Sequence, residues 1–350
     1  MIQYGVGVHD GRPRVVANVD GRVVDLSRVP GVPAPLADAL RAPTLNPFLA
    51  LGREAWHLVH DKAIDAPEVT VGAMRLPFDV ADYVDFYAFR DHAENLGRIL
   101  RPGEAPLTPN WLHMPIGYHG RAGTVVVSGT PIRRPHGQLR EGVVGPCARL
   151  DFEAEIGFVV GVPSAGPLSP NDFREHVFGV VLVDDWSARD IQAWEYRPLG
   201  PFLGKSFATS MSAWVTPLDQ LHWTTPPQRA TPNYLADPDW PSAVDLTLEV
   251  RVNDTLVSTP DARPMHWTPA QQLAHLTSNG AGIRTGDLFA SGTVSSPGQP
   301  GSLIELTDNA RTPITLADGS TRGFLADGDT VTITASGVGD VVGQIQGSVR

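Results

Sequence analysis

A mostly β fold with some α is what this sequence predicts, and three observations lead there. Glycine and proline are both plentiful, at 35 and 32 of 350 residues, so tight turns recur. Long helical periodicities are scarce, while short β-branched and apolar runs follow one another along the chain. The length allows one large core plus a smaller module, and a hydrophobic content of 42% is ordinary for a globular protein.

Residues 1–76 read as a small unit of their own. Val6-Gly7-Val8, Arg14 to Val19 and Arg22 to Leu26 are β-prone, and Asp10-Gly11 and Asp20-Gly21 between them are hairpin turns. A meander or small barrel follows. From Pro47 to Val59, Phe48, Leu49, Leu51, Trp56 and Val59 fall at helical intervals and predict one amphipathic helix. Leu76-Pro77-Phe78 marks the boundary, and residues 77–350 make the second unit. Its predicted strands cover 124–128, 154–160, 177–183, 244–252, 303–306 and 330–334. One helix is predicted near Ser187 to Trp194. Another begins where Thr268 caps and Pro269 takes the first position, and it ends at Asn279-Gly280. Residues 222–241, rich in proline, read as a surface excursion.

The net charge of -11 argues against nucleic acid as a partner, because phosphate backbones require a basic footprint. No apolar run reaches the roughly 18 residues that span a bilayer, and Met1 to Gly5 lacks the basic start of a secretory leader. The expectation is a soluble cytoplasmic protein with no membrane partner. The single cysteine, Cys147, excludes an internal disulfide and a cysteine-rich zinc site, and its apolar neighbours suggest a buried thiol. Gly200 to Ser206 imitates a phosphate-binding loop but has three residues between its glycines instead of four, and a proline removes one amide. Neither a Gly-x-Ser-x-Gly elbow nor a His-Glu-x-x-His pair occurs.

The chemistry concentrates in three stretches, Asp85 to His92, Asp151 to Phe158, and Asp185 to Lys205. Glu153 and Glu155 stand two apart in a predicted strand, so both carboxylates face the same side. Like charges that close repel, and a hard divalent cation such as Mg²⁺ or Ca²⁺ relieves the repulsion with oxygen ligands. Asp85 and Asp185 each adjoin a strand-like run and an aromatic residue, and can complete an all-oxygen cage; Asp184 competes with Asp185 for the inward position. His92 is a candidate general base, since histidine ordinarily titrates near neutrality. Arg189, Gln192 and Lys205 place donor groups near Asp185, as a developing oxyanion requires, and the first two share a helix face.

Several longer motifs carry a resemblance. Asp82 to Tyr87, Pro109-Asn110-Trp111-Leu112-His113-Met114-Pro115, Gly117-Tyr118-His119-Gly120-Arg121, Ser128 to Pro135, Asp185 to Gln192, Trp194 to Phe207 and Ala290-Ser291-Gly292-Thr293 are similar to the fumarylacetoacetate hydrolase family. The resemblance covers nearly the whole chain. It implies an SH3-like N-terminal barrel, a mixed β-roll or sandwich catalytic domain, and a homodimer. It also implies metal-dependent hydrolysis of a carbon–carbon bond in a dianionic diketo acid, giving fumarate and acetoacetate at the last step of tyrosine and phenylalanine breakdown. By motif position, Asp85, Glu153, Glu155 and Asp185 match the cation ligands. His92 matches the base and Glu305 the carboxylate that orients it. Arg189, Gln192 and Lys205 match the oxyanion-stabilising group, and Tyr87, Arg101, Tyr118, Gln192, Tyr196 and Thr293 match substrate contacts. Lys205 and Thr209 fall beside a second Mg²⁺ position, where Ala208 replaces an expected glycine. The alternatives are an acylpyruvate hydrolase or a keto-acid decarboxylase or isomerase of the same family, whose members commonly lack the N-terminal module and the Tyr87, Arg101 and Tyr118 set.

Overall fold

The computed structural model describes residues 1–347. Strands β1 (Ile2–His9), β2 (Arg12–Val19) and β3 (Arg22–Asp25) form two hairpins. Asp10, Gly11, Asp20 and Gly21 all take positive φ, the conformation that two-residue turns between twisted strands demand. The predicted single helix at 47–59 is two helices, α1 (Asn46–Leu49) and α2 (Arg53–Lys62). Gly52, at φ +78°, breaks the continuity and leaves Leu51 exposed, while Phe48, Leu49, Trp56 and Val59 are buried.

Further along come β4 (Asp82–Phe86), helix α3 (Arg90–Leu100), β5 (Gly117–His119), β6 (Leu150–Asp151), β7 (Ala154–Val160) and β8 (Val177–Asp184). After these lie β9 (Ser187–Ala188), α4 (Arg189–Glu195), β10 (Thr209–Met211), β11 (Trp214–Pro217) and β12 (Leu248–Val252). The last elements used below are α5 (Pro269–Thr277), β13 (Asp287–Ala290), α6 (Leu303–Leu306), β14 (Thr330–Ala335) and β15 (Gly339–Gln346). The boundaries of α5 follow the predicted signals, with Gln271 Oε1 accepting from the Thr268 amide at 3.0 Å. The predicted strand at 244–252 is interrupted: Ala243–Val244 pairs with Trp223–Thr224, which draws part of the 222–241 segment onto the core, and β12 begins only at Leu248.

Among the described residues twelve strands hydrogen-bond into one mixed sheet whose path runs β3-β2-β1-β11-β8-β7-β13-β4-β5. A second sheet of five strands contains β12, β14 and β15. The N-terminal strands close no barrel among the described residues. Tyr4 of β1 pairs instead with Val215 of β11, so the small unit continues the large sheet. Burial explains this: Tyr4 and Trp56 pack on Phe178 of β8 with ring centroids 5.3 and 5.1 Å apart, apolar surface that a small meander could not cover alone. Among the described residues no helix is long and apolar enough to cross a membrane.

Helix α3 was not predicted, although Ala93, Leu96 and Leu100 recur at intervals of three and four. It is pressed against the loop that follows it. A Cβ on Gly97 would stand 1.9 Å from the carbonyl oxygen of Pro106. Gly97→Ala is therefore expected to destabilise the protein by about 1–3 kcal/mol, read as a lower urea midpoint; an unchanged midpoint contradicts this packing.

Candidate active site

The large sheet brings distant acids together. Asp85 lies in β4 opposite Ala290 of β13, and Ala290 in turn faces Gly157 of β7, two residues beyond Glu155. Glu153 sits just ahead of β7, bridged to Ser302, and Asp185 follows the last residue of β8. Asp85, Glu153, Glu155 and Asp185 each offer an oxygen, all within 4.8 Å of one another, and all are buried. Asp184 is not part of this group. Its Oδ1 accepts from the Glu153 amide at 3.2 Å, so it braces the backbone while Asp185 turns inward.

Two cations lie against the acids. The Lys205 ammonium donates to Glu153 Oε2 and, at 2.5 Å, to Asp185 Oδ2. Arg189 donates from Nε to Asp151 at 2.8 Å, from one terminal nitrogen to Glu153 at 2.7 Å, and from the other to Gln192 Oε1 at 3.1 Å. Burial pushes the Glu153 carboxyl up, but Arg189, Lys205 and His92 outweigh it and hold the group below the usual carboxylate range. Asp85 and Glu155 go the other way: burial first, then the neighbouring carboxylates, drive both well above that range.

Asp85 Oδ1 and both oxygens of Glu155 are buried without any hydrogen-bond partner. Orphaned buried acceptors are costly, and here they converge on one point with two further carboxylates. The donor set is all oxygen and more acidic than Lys205 and Arg189 can neutralise, which fits a hard divalent cation. Lys205 and Thr209, expected beside a second ion, both bond to Asp185, Thr209 Oγ1 reaching Oδ1 at 3.3 Å. The contacts to Asp185 and Glu153 raise the Lys205 pKa against its burial.

His92, near the start of α3, is buried and meets Glu305 through Nδ1 at 2.6 Å. Its Nε2 lies 3.7 Å from Glu153 Oε1. Glu305 also accepts from Ser302 Oγ at 2.6 Å, Ser295 Oγ at 3.1 Å and Asn95 Nδ2 at 3.0 Å. Burial raises the Glu305 carboxyl, yet His92 and these donors hold it below its ordinary value, so it stays ionised. An ionised carboxylate only accepts, which assigns a proton to Nδ1 and leaves Nε2 as the ring nitrogen on the Glu153 side. Glu305 belongs to a short helix and not to the predicted strand at 303–306. The apolar run by itself reads as a strand; the Asp151 carboxylate, accepting from the Leu303 and Ile304 amides, supports the helical turn instead.

A cleft of about 680 Å³ opens onto this centre. Tyr87, Arg101, Tyr118, Gln192, Tyr196 and Thr293, the residues expected to touch substrate, all line it. Tyr118 donates to Asp185 Oδ2 at 2.8 Å, and the Tyr87 ring stands edge-on to His92 at 5.3 Å. Arg101 Nε and Thr293 Oγ1 are buried without partners at the wall, donors waiting for an acceptor. Sequence reasoning missed Asn95, Ser295 and Ser302, the supports of Glu305. Asn95 was recoverable, since it sits three residues from His92 on the same helix face.

Residues 82–346 match the family model described as fumarylacetoacetate (FAA) hydrolase C-terminal. A human relative named fumarylacetoacetase is 41% identical over an alignment of 379 residues that covers 95% of this chain and 89% of the relative. One of the same name from Arabidopsis thaliana is 39% identical, covering 97% and 91%. Among solved structures, a fumarylacetoacetate hydrolase from psychrophilic Exiguobacterium antarcticum superposes with a TM-score of 0.65 at 19% identity, covering 99% of this chain and all of that one. A maleylpyruvate hydrolase from Sphingobium sp. SYK-6 superposes with a TM-score of 0.61 at 13% identity over 99% of this chain.

Proposed function

Because the chain belongs to the fumarylacetoacetate hydrolase family, we propose that it hydrolyses the carbon–carbon bond of 4-fumarylacetoacetate to fumarate and acetoacetate, closing tyrosine and phenylalanine breakdown. The observation that carries this is the His92–Glu305 pair standing beside four converging carboxylates, of which Asp85, Glu153 and Glu155 line the cleft.

Asp85, Glu153, Glu155 and Asp185 would hold the cation, read as Mg²⁺ or Ca²⁺, and that ion supplies Lewis-acid polarisation of diketone oxygens. The rest is the work of side chains. Glu305 fixes the His92 tautomer, and His92 Nε2 takes a proton from the attacking water. Hydroxide adds to the substrate carbonyl carbon, and Arg189, Gln192 and Lys205 donate to the oxygen that becomes negative. Collapse of the tetrahedral species breaks the carbon–carbon bond. The electron pair leaves as an enolate, which accepts a proton from the imidazolium of His92. Arg101, with an unpartnered Nε at the cleft wall, suits one of the two substrate carboxylates.

A homodimer in the cytoplasm completes the proposal. Leu199 at 97% and Phe202 at 65% exposure, on the loop beside the cleft, supply apolar surface suited to a second copy. Fumarylacetoacetate loss, followed by absorbance, should proceed with divalent cation and stop in chelator. An inert protein that instead cleaves an acylpyruvate would overturn the assignment in favour of the neighbouring activity.

A further inference from the structure

We propose that Asp151 is a positioning residue that holds the His92–Glu305 pair and the Arg189 donor in one fixed register, an inference that rests on the hydrolase reading above. Asp151 ends β6, and its pairing with Ser187 of β9 places it beside the start of α4, two residues before Arg189. The residue is wholly buried. Oδ1 accepts from the amides of Leu303 at 2.7 Å and Phe152 at 2.9 Å. Oδ2 accepts from the amide of Ile304 at 3.1 Å and from Arg189 Nε at 2.8 Å.

A single carboxylate thus grips the first two amides of α6, the turn that carries Glu305, and the guanidinium that reaches Glu153 and Gln192. Among the described residues no other side chain bonds to both. The carboxylate has about four lone-pair sites and all four are occupied. An asparagine is nearly the same size but turns one end into a donor. That end must then face either the Arg189 Nε–H or a backbone N–H, so α6 or Arg189 moves. A displacement on the order of 1 Å in a catalytic constellation costs about 10²-fold in rate. Asp151 touches no reacting atom, and its effect is exerted through Glu305 and Arg189.

The test is Asp151→Asn in the full chain. We expect kcat for fumarylacetoacetate to fall about 10²-fold with KM little changed. Combined with Glu305→Gln, the loss should fall short of the product of the two single losses, because one of the two routes from Asp151 runs through the same imidazole. Wild-type kcat in Asp151→Asn, or losses that multiply in the double variant, overturn the proposal. If Asp151→Asn does not fold, Asp151→Glu keeps the charge but displaces its oxygens, and should still lose at least about tenfold in kcat; full activity there is equally fatal. A readout independent of substrate is the low-field proton resonance of His92 Nδ1–H, expected to shift in Asp151→Asn. Were the wild type inert toward fumarylacetoacetate, the hydrolase reading would fall, while an unmoved resonance would defeat the positioning role by itself.

Discussion

His92→Ala is expected to lower kcat about 10³-fold while the protein stays folded and still binds a divalent cation, because general-base catalysis typically contributes 10²–10⁴-fold. Two geometric facts set this expectation. Nδ1 is occupied by Glu305 at 2.6 Å, so only Nε2 can accept a proton, and Nε2 is the nitrogen that turns toward Glu153. Alanine removes the acceptor but leaves the carboxylates in place. Glu305 keeps its bonds from Ser302, Ser295 and Asn95, so the buried charge is not orphaned and the fold should survive. Absorbance-monitored turnover, a thermal melt and calorimetric cation titration together check this. A variant with near wild-type kcat would remove His92 from the proton-transfer step.

Glu155→Gln should have opposite effects on stability and on function. Both Glu155 oxygens are buried without partners, beside Asp85, Asp185 and Glu153, and the carboxyl is driven well above its usual pKa by burial and then by these neighbours. Glutamine carries neither the repelled charge nor the cost of taking up a proton in cation-free protein, so the melting temperature without metal should rise. With cation present the order reverses. Changes to groups behind a ligand already cost 10–100-fold in metal affinity, so loss of a ligand itself should weaken binding by at least about 10²-fold, and turnover should fall with it. Calorimetric titration and melts with and without Mg²⁺ or Ca²⁺ provide the comparison. A variant that binds cation as tightly as wild type would take Glu155 out of the ligand set.

Local patterns made the strands and turns legible. The run 154–160 is β7 with the same bounds, and Asp10-Gly11 and Asp20-Gly21 take the backbone conformation their chemistry favours. The capped start of α5 was equally plain, because a threonine followed by proline specifies a helix start within a few residues. What sequence concealed was set by tertiary contact. The run at 303–306 is apolar enough for a strand and becomes a helical turn only because Asp151, more than 150 residues earlier, captures its amides. The choice of Asp185 over Asp184 depends on which one meets the Glu153 amide. The convergence of Asp85 with Glu155 requires the parallel pairing of β4 with β13, and no spacing along the chain encodes it. Likewise the N-terminal hairpins were recognisable, whereas their continuation into the large sheet through Tyr4 and Val215 was not.

That last pairing bears on how the chain matures on the ribosome. Tyr4 emerges first, but its partner Val215 is made more than 200 residues later, and at about 5–20 residues per second the wait is roughly 10–40 s. Until Phe178 is made the aromatic face around Tyr4 and Trp56 lacks its cover, and until β11 is made the edge of β1 at Tyr4 and Gly5 stays unpaired. The nascent amino-terminal segment is therefore where a chaperone would be most needed during synthesis, and where a slowed ribosome would most expose the chain to aggregation.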